Sequence, residues 1–114
     1  MAVHDHQVCS KFHRAIELIG KKWTGAIIDM LMGGPRRFSE LLAAVPGLHD
    51  RLLSERLKEL EQEELVKRAV YPETPVRIEY ELTPRGRDLE KVVAEVHRWA
   101  ERWIPVRTPA GRAR

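Results

Sequence analysis

A mainly α-helical domain carrying a single β-hairpin is what the sequence predicts, and three features predict it. Apolar residues recur at helical spacing in five stretches. Gly and Pro breakers separate the first four. The period then switches to strict alternation over residues 76–82 and returns to helical spacing after Thr83-Pro84. The chain has 114 residues, 43% hydrophobic and 32% charged, which suits one globular domain with its own core.

The first helix is predicted over 10–19, with Ser10 as N-cap and Phe12, Ala15, Ile16 and Ile19 on one face. Gly20 interrupts it. A second helix is predicted over 22–32, with Trp23, Ala26, Ile27, Met30 and Leu31 in register, and Gly33-Gly34-Pro35 ends it. A third, short helix over 38–45 buries Phe38, Leu41, Leu42 and Val45 before the Pro46-Gly47 breaker. The fourth runs from about Asp50, its expected N-cap, to Glu63. Leu53, Leu57 and Leu60 share its inner face, while Arg51, Glu55, Lys58 and Gln62 lie opposite. Arg56 sits beside the apolar stripe and is read as structural, paired with a nearby carboxylate.

Val76, Ile78, Tyr80 and Leu82 alternate with Arg77, Glu79 and Glu81, the signature of a half-buried strand. Residues 65–71 supply its partner, and the two prolines of Pro72-Glu73-Thr74-Pro75 end the pairing at the hairpin tip. Thr83 and Pro84 are N-cap and first residue of one last helix reaching Trp103. Residues 1–9 are read as a flexible arm, 10–104 as the domain, and 105–114, with three Arg, as a flexible basic tail.

Two short helices across a Pro-Gly turn, followed directly by a hairpin, make a winged helix-turn-helix. The fourth helix has the width of a major groove, and its free face carries donors. A mixed-charge face by itself fits solvent as well as DNA; the order of elements favours DNA. His49, Arg51, Ser54, Glu55 and Lys58 are the residues expected to reach base edges, Arg51 suiting guanine and Glu55 cytosine. Arg36, Arg37 and Ser39 open the preceding helix and suit phosphates. Lys22 and Thr24 open the second helix, whose free N–H groups also suit a phosphate. Arg77 would carry the wing's contact. The acidic run Glu59, Glu61, Glu63, Glu64 would repel phosphate, so that end of the helix must leave the groove.

The stretches Ile19-Gly-Lys-Lys-Trp-Thr24, Gly34-Pro-Arg-Arg-Phe-Ser-Glu-Leu41, Leu53-Ser-Glu-Arg-Leu-Lys-Glu-Leu60 and Val76-Arg-Ile-Glu-Tyr-Glu-Leu-Thr-Pro84 resemble the HxlR-type family of bacterial winged helix-turn-helix regulators. Cys9, just ahead of the first helix, matches a cysteine that many members carry. The chain departs from the pattern at Ser10, where Pro is common, at Lys21, where Gly is usual, and at Asp50-Arg51, which leaves the operator sequence open. The resemblance implies a homodimeric transcription factor, held by its first and last helices, that binds double-stranded operator DNA and often responds to electrophiles or oxidants. The seam would comprise Phe12, Ile16, Leu89, Val92, Val96, Trp99 and Trp103. The apolar stripe bearing Trp99 and Trp103 points the same way, since large exposed apolar patches are rare on monomers.

Free cysteine is most often an inert hydrophobe. Cys9, however, adjoins a helix N-terminus with Lys11, His13 and Arg14 close in sequence, a setting expected to favour a reactive thiolate. His4, His6 and Cys9 lack a second ligand pair, so no metal is expected. The sequence carries no Gly-rich phosphate loop, nucleophile elbow or framed carboxylate pair, so neither enzymatic activity nor a cofactor is expected. It contains no run near the roughly 18 apolar residues of a membrane span and no signal-like start, and its single Cys fits a reducing cytoplasm. The formal charge of +3 permits a polyanionic partner without demanding one. The competing reading is a winged-helix module that binds protein rather than DNA.

Overall fold

The computed structural model describes residues 9–106. In chain order the elements are α1 (Ser10–Ile19), α2 (Thr24–Met32), α3 (Phe38–Ala44), α4 (Asp50–Gln62), β1 (Val66–Tyr71), β2 (Arg77–Leu82), α5 (Pro84–Arg87) and α6 (Glu90–Trp103). This is the expected winged helix-turn-helix order, with one difference: the last helix is two. The expected arm, apart from Cys9, and the tail beyond residue 106 lie outside the described residues.

One core joins α2, α3, α4 and the base of the hairpin. Ile27, Ile28 and Leu31 of α2 meet Leu41 of α3, Leu53, Leu57 and Leu60 of α4, and Leu65, Val66 and Leu82. Burying each such side chain is worth about 1.5–3 kcal/mol, and Leu53, Leu57 and Leu60 turn the inner face of α4 against this core. Val45 and Leu48, both buried, anchor the turn between α3 and α4. Gly47 supplies its left-handed step (φ 87°), with the indole of Trp23 filling the space where a side chain would stand.

β1 and β2 pair antiparallel, from Val66 opposite Leu82 to Tyr71 opposite Arg77. The ribbon is tied to the helix-turn-helix by Arg36, whose backbone N–H donates to Tyr80 O (2.9 Å) and whose carbonyl accepts from Tyr80 N (2.8 Å). Val76 is exposed and outside the strand, so β2 starts one residue later than expected; its residues Arg77 to Glu81 are all half-buried rather than alternating, and only Leu82 is fully buried.

Boundaries shift for identifiable reasons. Cys9, not Ser10, is the N-cap residue of α1. His49, not Asp50, precedes α4, and Asp50 instead places its charge in the first turn, where the helix dipole favours it. α2 starts at Thr24 rather than Lys22 because Trp23 adopts a left-handed conformation (φ 77°), which breaks the helical path. The last helix divides because α5 is docked beneath the hairpin. Thr83 Oγ1 accepts from Gly86 N (3.0 Å) and donates to Glu64 O (2.6 Å), and a Cβ on Gly86 would meet the carbonyl oxygen of Leu65 at 2.2 Å. The chain re-enters a helix only at Glu90.

Candidate nucleic-acid interface

α4 presents a free outer face. Arg51, Glu55 and Lys58 are exposed, Ser54 is half-buried, and His49 is exposed at the N-cap. Arg51 is the most open of them, with 92% of its side chain accessible, and it approaches Glu55 one turn on at 3.8 Å. Exposed pairs of this kind contribute little and yield readily to a stronger partner. A bidentate donor and a carboxylate acceptor thus stand side by side, the chemistry that reads guanine and cytosine edges in a major groove.

The acidic run has a definite fate. Glu59 pairs with Lys21 (2.9 Å) and Glu63 with Arg14 (2.7 Å), so two carboxylates face α1 and its connector. Arg56 is structural, as expected. Its Nε donates to Lys22 O (2.9 Å) and its Nη1 lies 3.4 Å from Glu59.

The phosphate candidates divide. Arg37 and Ser39 are exposed at the start of α3, where Arg37 N donates to Glu40 Oε1 (2.8 Å). Arg36 is half-buried at the wing junction, and its Nε is shielded from solvent without a partner among the described residues. Lys22 lies in the turn before α2 with its ammonium 5.2 Å from the Trp23 ring. Thr24 is buried, only 2% exposed, so its side chain does not present a hydroxyl to a phosphate; the expectation presumed a helix that begins two residues earlier.

On the wing, Arg77 is committed internally. It reaches Glu73 and Glu79 at 2.8 Å each and stacks 4.0 Å from the Tyr71 ring. These carboxylates hold its guanidinium more firmly protonated than usual, and the same hydrogen bond lowers the carboxyl pKa of Glu73. Arg68, exposed on β1, is the wing cation without an ion-pair partner among the described residues. Sequence reasoning passed over it, although its place in the 65–71 strand made it visible.

A second surface lies away from α4. Phe12 and Ile16 on α1, and Val92, Val96, Trp99 and Trp103 on α6, are all more than 40% exposed. Leu89 differs from this set in exposure: it is half-buried against the core while lining the same groove as Ile16, Val92 and Val96. Between α1, α2 and α6 runs a groove of about 460 Å³ whose ionisable lining side chains are Asp29 and His97, 2.9 Å apart. Cys9 is exposed at the start of α1. Of the cations expected near its thiol, Arg14 is turned to Glu63 and His13 lies 3.5 Å from Glu17. Lys11 alone has no ion pair among the described residues.

The profile described as HxlR-like helix-turn-helix matches residues 18–108. The chain belongs to the HxlR-like helix-turn-helix family. It is 48% identical over 102 residues to the uncharacterized HTH-type transcriptional regulator YvaP of Bacillus subtilis (strain 168), covering 90% of this chain and 94% of that one. The reduced form of the transcriptional regulator YodB from B. subtilis superimposes with a TM-score of 0.77 at 46% identity, over 86% of this chain and 96% of that one. YodB has also been solved diamide-treated and quinone-bound. The redox regulator HypR in its oxidized form superimposes with a TM-score of 0.79 at 34% identity, over 84% of this chain and 99% of that one. This HxlR-like chain is therefore a DNA-binding transcriptional regulator with α4 as the second helix of its helix-turn-helix. Among its described residues no helix is long and apolar enough to cross a membrane, and no group of three or more His, Cys, Asp or Glu is placed to hold a metal ion. His4 and His6 lie outside those residues.

Proposed function

We propose that the protein is a homodimeric, sequence-specific repressor whose hold on operator DNA is released when Cys9 is alkylated or oxidised. Base contacts come from His49, Arg51, Ser54, Glu55 and Lys58, and phosphate contacts from Arg37, Ser39, Lys22 and the wing. The single observation that carries the sensing reading is the exposed Cys9 at the head of α1, the helix whose Phe12 and Ile16 stand uncovered beside the exposed stripe of α6. That apolar face is the proposed seam, and a thiol at its edge is accessible to a small electrophile while close enough to disturb the pairing of helices. YodB, solved both quinone-bound and diamide-treated, supports the class of inducer.

The chemistry balances with one thiol per chain. The Cys9 sulfur adds to an electrophilic ring carbon of a quinone, and the thiol proton ends on the quinone oxygen, giving a hydroquinone thioether. Diamide instead accepts two electrons and two protons as two thiols join. Because the sequence holds one cysteine, the second thiol comes from another copy or from a small thiol. A free thiol of this kind belongs in a reducing cytoplasm.

The test compares wild type and Cys9→Ser in a gel shift on DNA flanking the protein's own gene, before and after benzoquinone or diamide. Wild type should lose binding on treatment while Cys9→Ser keeps it. Equal loss in both discards Cys9. Failure of both proteins to bind the DNA before treatment would favour a protein partner, whose affinity would lack the log-linear fall with salt that counterion release gives.

A further inference from the structure

We propose that Arg14, Lys21 and Arg56 form a polar clamp that fixes the pose of α4 against α1, making them positioning residues for operator binding. The inference rests on the proposed dimer in taking α1 as half of the seam. Two recognition helices reach successive major grooves only if both leave that seam at one defined angle, about 34 Å apart.

The hydrophobic core holds α1 only at its end, where the half-buried Leu18 and Ile19 pack against it, and no residue of α1 is fully buried. Polar ties do much of the rest, and they converge on the later turns of α4. Arg14 reaches Glu63 at 2.7 Å, and Lys21 reaches Glu59 at 2.9 Å. Arg56, its side chain only 12% exposed, donates to the carbonyl of Lys22 at 2.9 Å and shares Glu59 with Lys21. The same connector also holds the other end of the reading helix. Trp23, held left-handed, packs its ring against Gly47 in the turn that leads into α4. Residues 21–23 therefore touch α4 at its middle and later turns and the loop at its start, while Arg51 and Lys58 on the outer face take no part. Exposed ion pairs are individually weak, so the clamp can yield when α1 is displaced.

The test is a double-mutant cycle of Arg14→Glu, Glu63→Arg and the charge-swapped pair, which has the wild-type net charge. Affinity is measured for a duplex selected from a random pool by the wild-type protein and for a random-sequence duplex, beside the sedimentation mass and thermal midpoint of each variant. Each single reversal should cut the ratio of selected to random affinity about tenfold, and the swap should restore it to within threefold. Ratios that stay within twofold of wild type, or coupling that moves the thermal midpoint but not the ratio, would overturn the clamp. Should a reversal fail to fold, Glu63→Gln reads the same ratio, which should fall about threefold, as loss of one partly exposed pair allows. A monomeric wild type would overturn the dimer instead, and sedimentation reports that separately.

Discussion

Arg77 donates to both carboxylate oxygens of Glu73, at 3.3 Å from Nε and 2.8 Å from Nη2, across the tip of the wing. A cation held this way gives up a good partner before it can meet a phosphate. Arg77→Ala should therefore change DNA affinity less than twofold, whereas Arg68→Ala should weaken it and lower the slope of log affinity against log salt by about 1. Titrations of both variants across salt concentrations check this, and the reverse ranking would return the wing contact to Arg77.

The same pair makes a pH prediction. Arg77 lowers the Glu73 pKa from the ordinary 4.5, chiefly through the side-chain hydrogen bond. A depressed carboxylate contributes stability that is complete above its unfolded pKa and lost as pH falls through its lower folded value. The wing tip should thus remain unchanged from neutral pH down to about 4.5 and loosen only below it. An NMR titration of the Glu73 carboxyl should give a midpoint under 4.5; a midpoint at or above it would contradict the pairing.

Gly86→Ala should destabilise the fold. The new methyl would sit 2.2 Å from the Leu65 carbonyl oxygen, so α5 must shift off the hairpin base. Overpacking of this kind costs roughly 1–3 kcal/mol, or about 4–8 °C in Tm per kcal/mol for a domain of this size. Thermal denaturation followed by circular dichroism measures it, and an unchanged midpoint would refute the docking of α5.

Val96 is 62% exposed on α6, in the stripe proposed as the seam. Val96→Asp should leave the helical content intact and halve the sedimentation mass, since it places a charge in an apolar interface without removing anything from the core. Unaltered mass would put the seam elsewhere.

The element order was legible because Gly33-Gly34-Pro35, Pro46-Gly47 and Pro72 with Pro75 are local signals, and so was the buried Leu53, Leu57 and Leu60 face of α4. The errors arose where distant residues decide. Trp23 is left-handed although aromatic residues have no preference for that region, and its contact is Gly47, in a turn the periodicity cannot connect to it. The late start of α2 and the burial of Thr24 accompany that conformation. The α5 break depends on Gly86 meeting Leu65 across the hairpin, so a helix continuous in sequence is divided in space. The pairing of Arg77 with Glu73 and Glu79 is not legible in the alternation alone, because the hairpin tip brings these side chains together only once it closes. The exposed Arg51, Glu55 and Lys58 followed directly from helical spacing.

The outer face of α4 as the DNA-reading surface is tested most directly by a gel shift of wild type and an Arg51→Ala, Lys58→Ala double variant on the selected duplex, with folding of both verified by circular dichroism. The double variant should bind at least tenfold more weakly and lose its preference over random DNA. Equal affinity and equal preference in the two proteins would contradict the assignment.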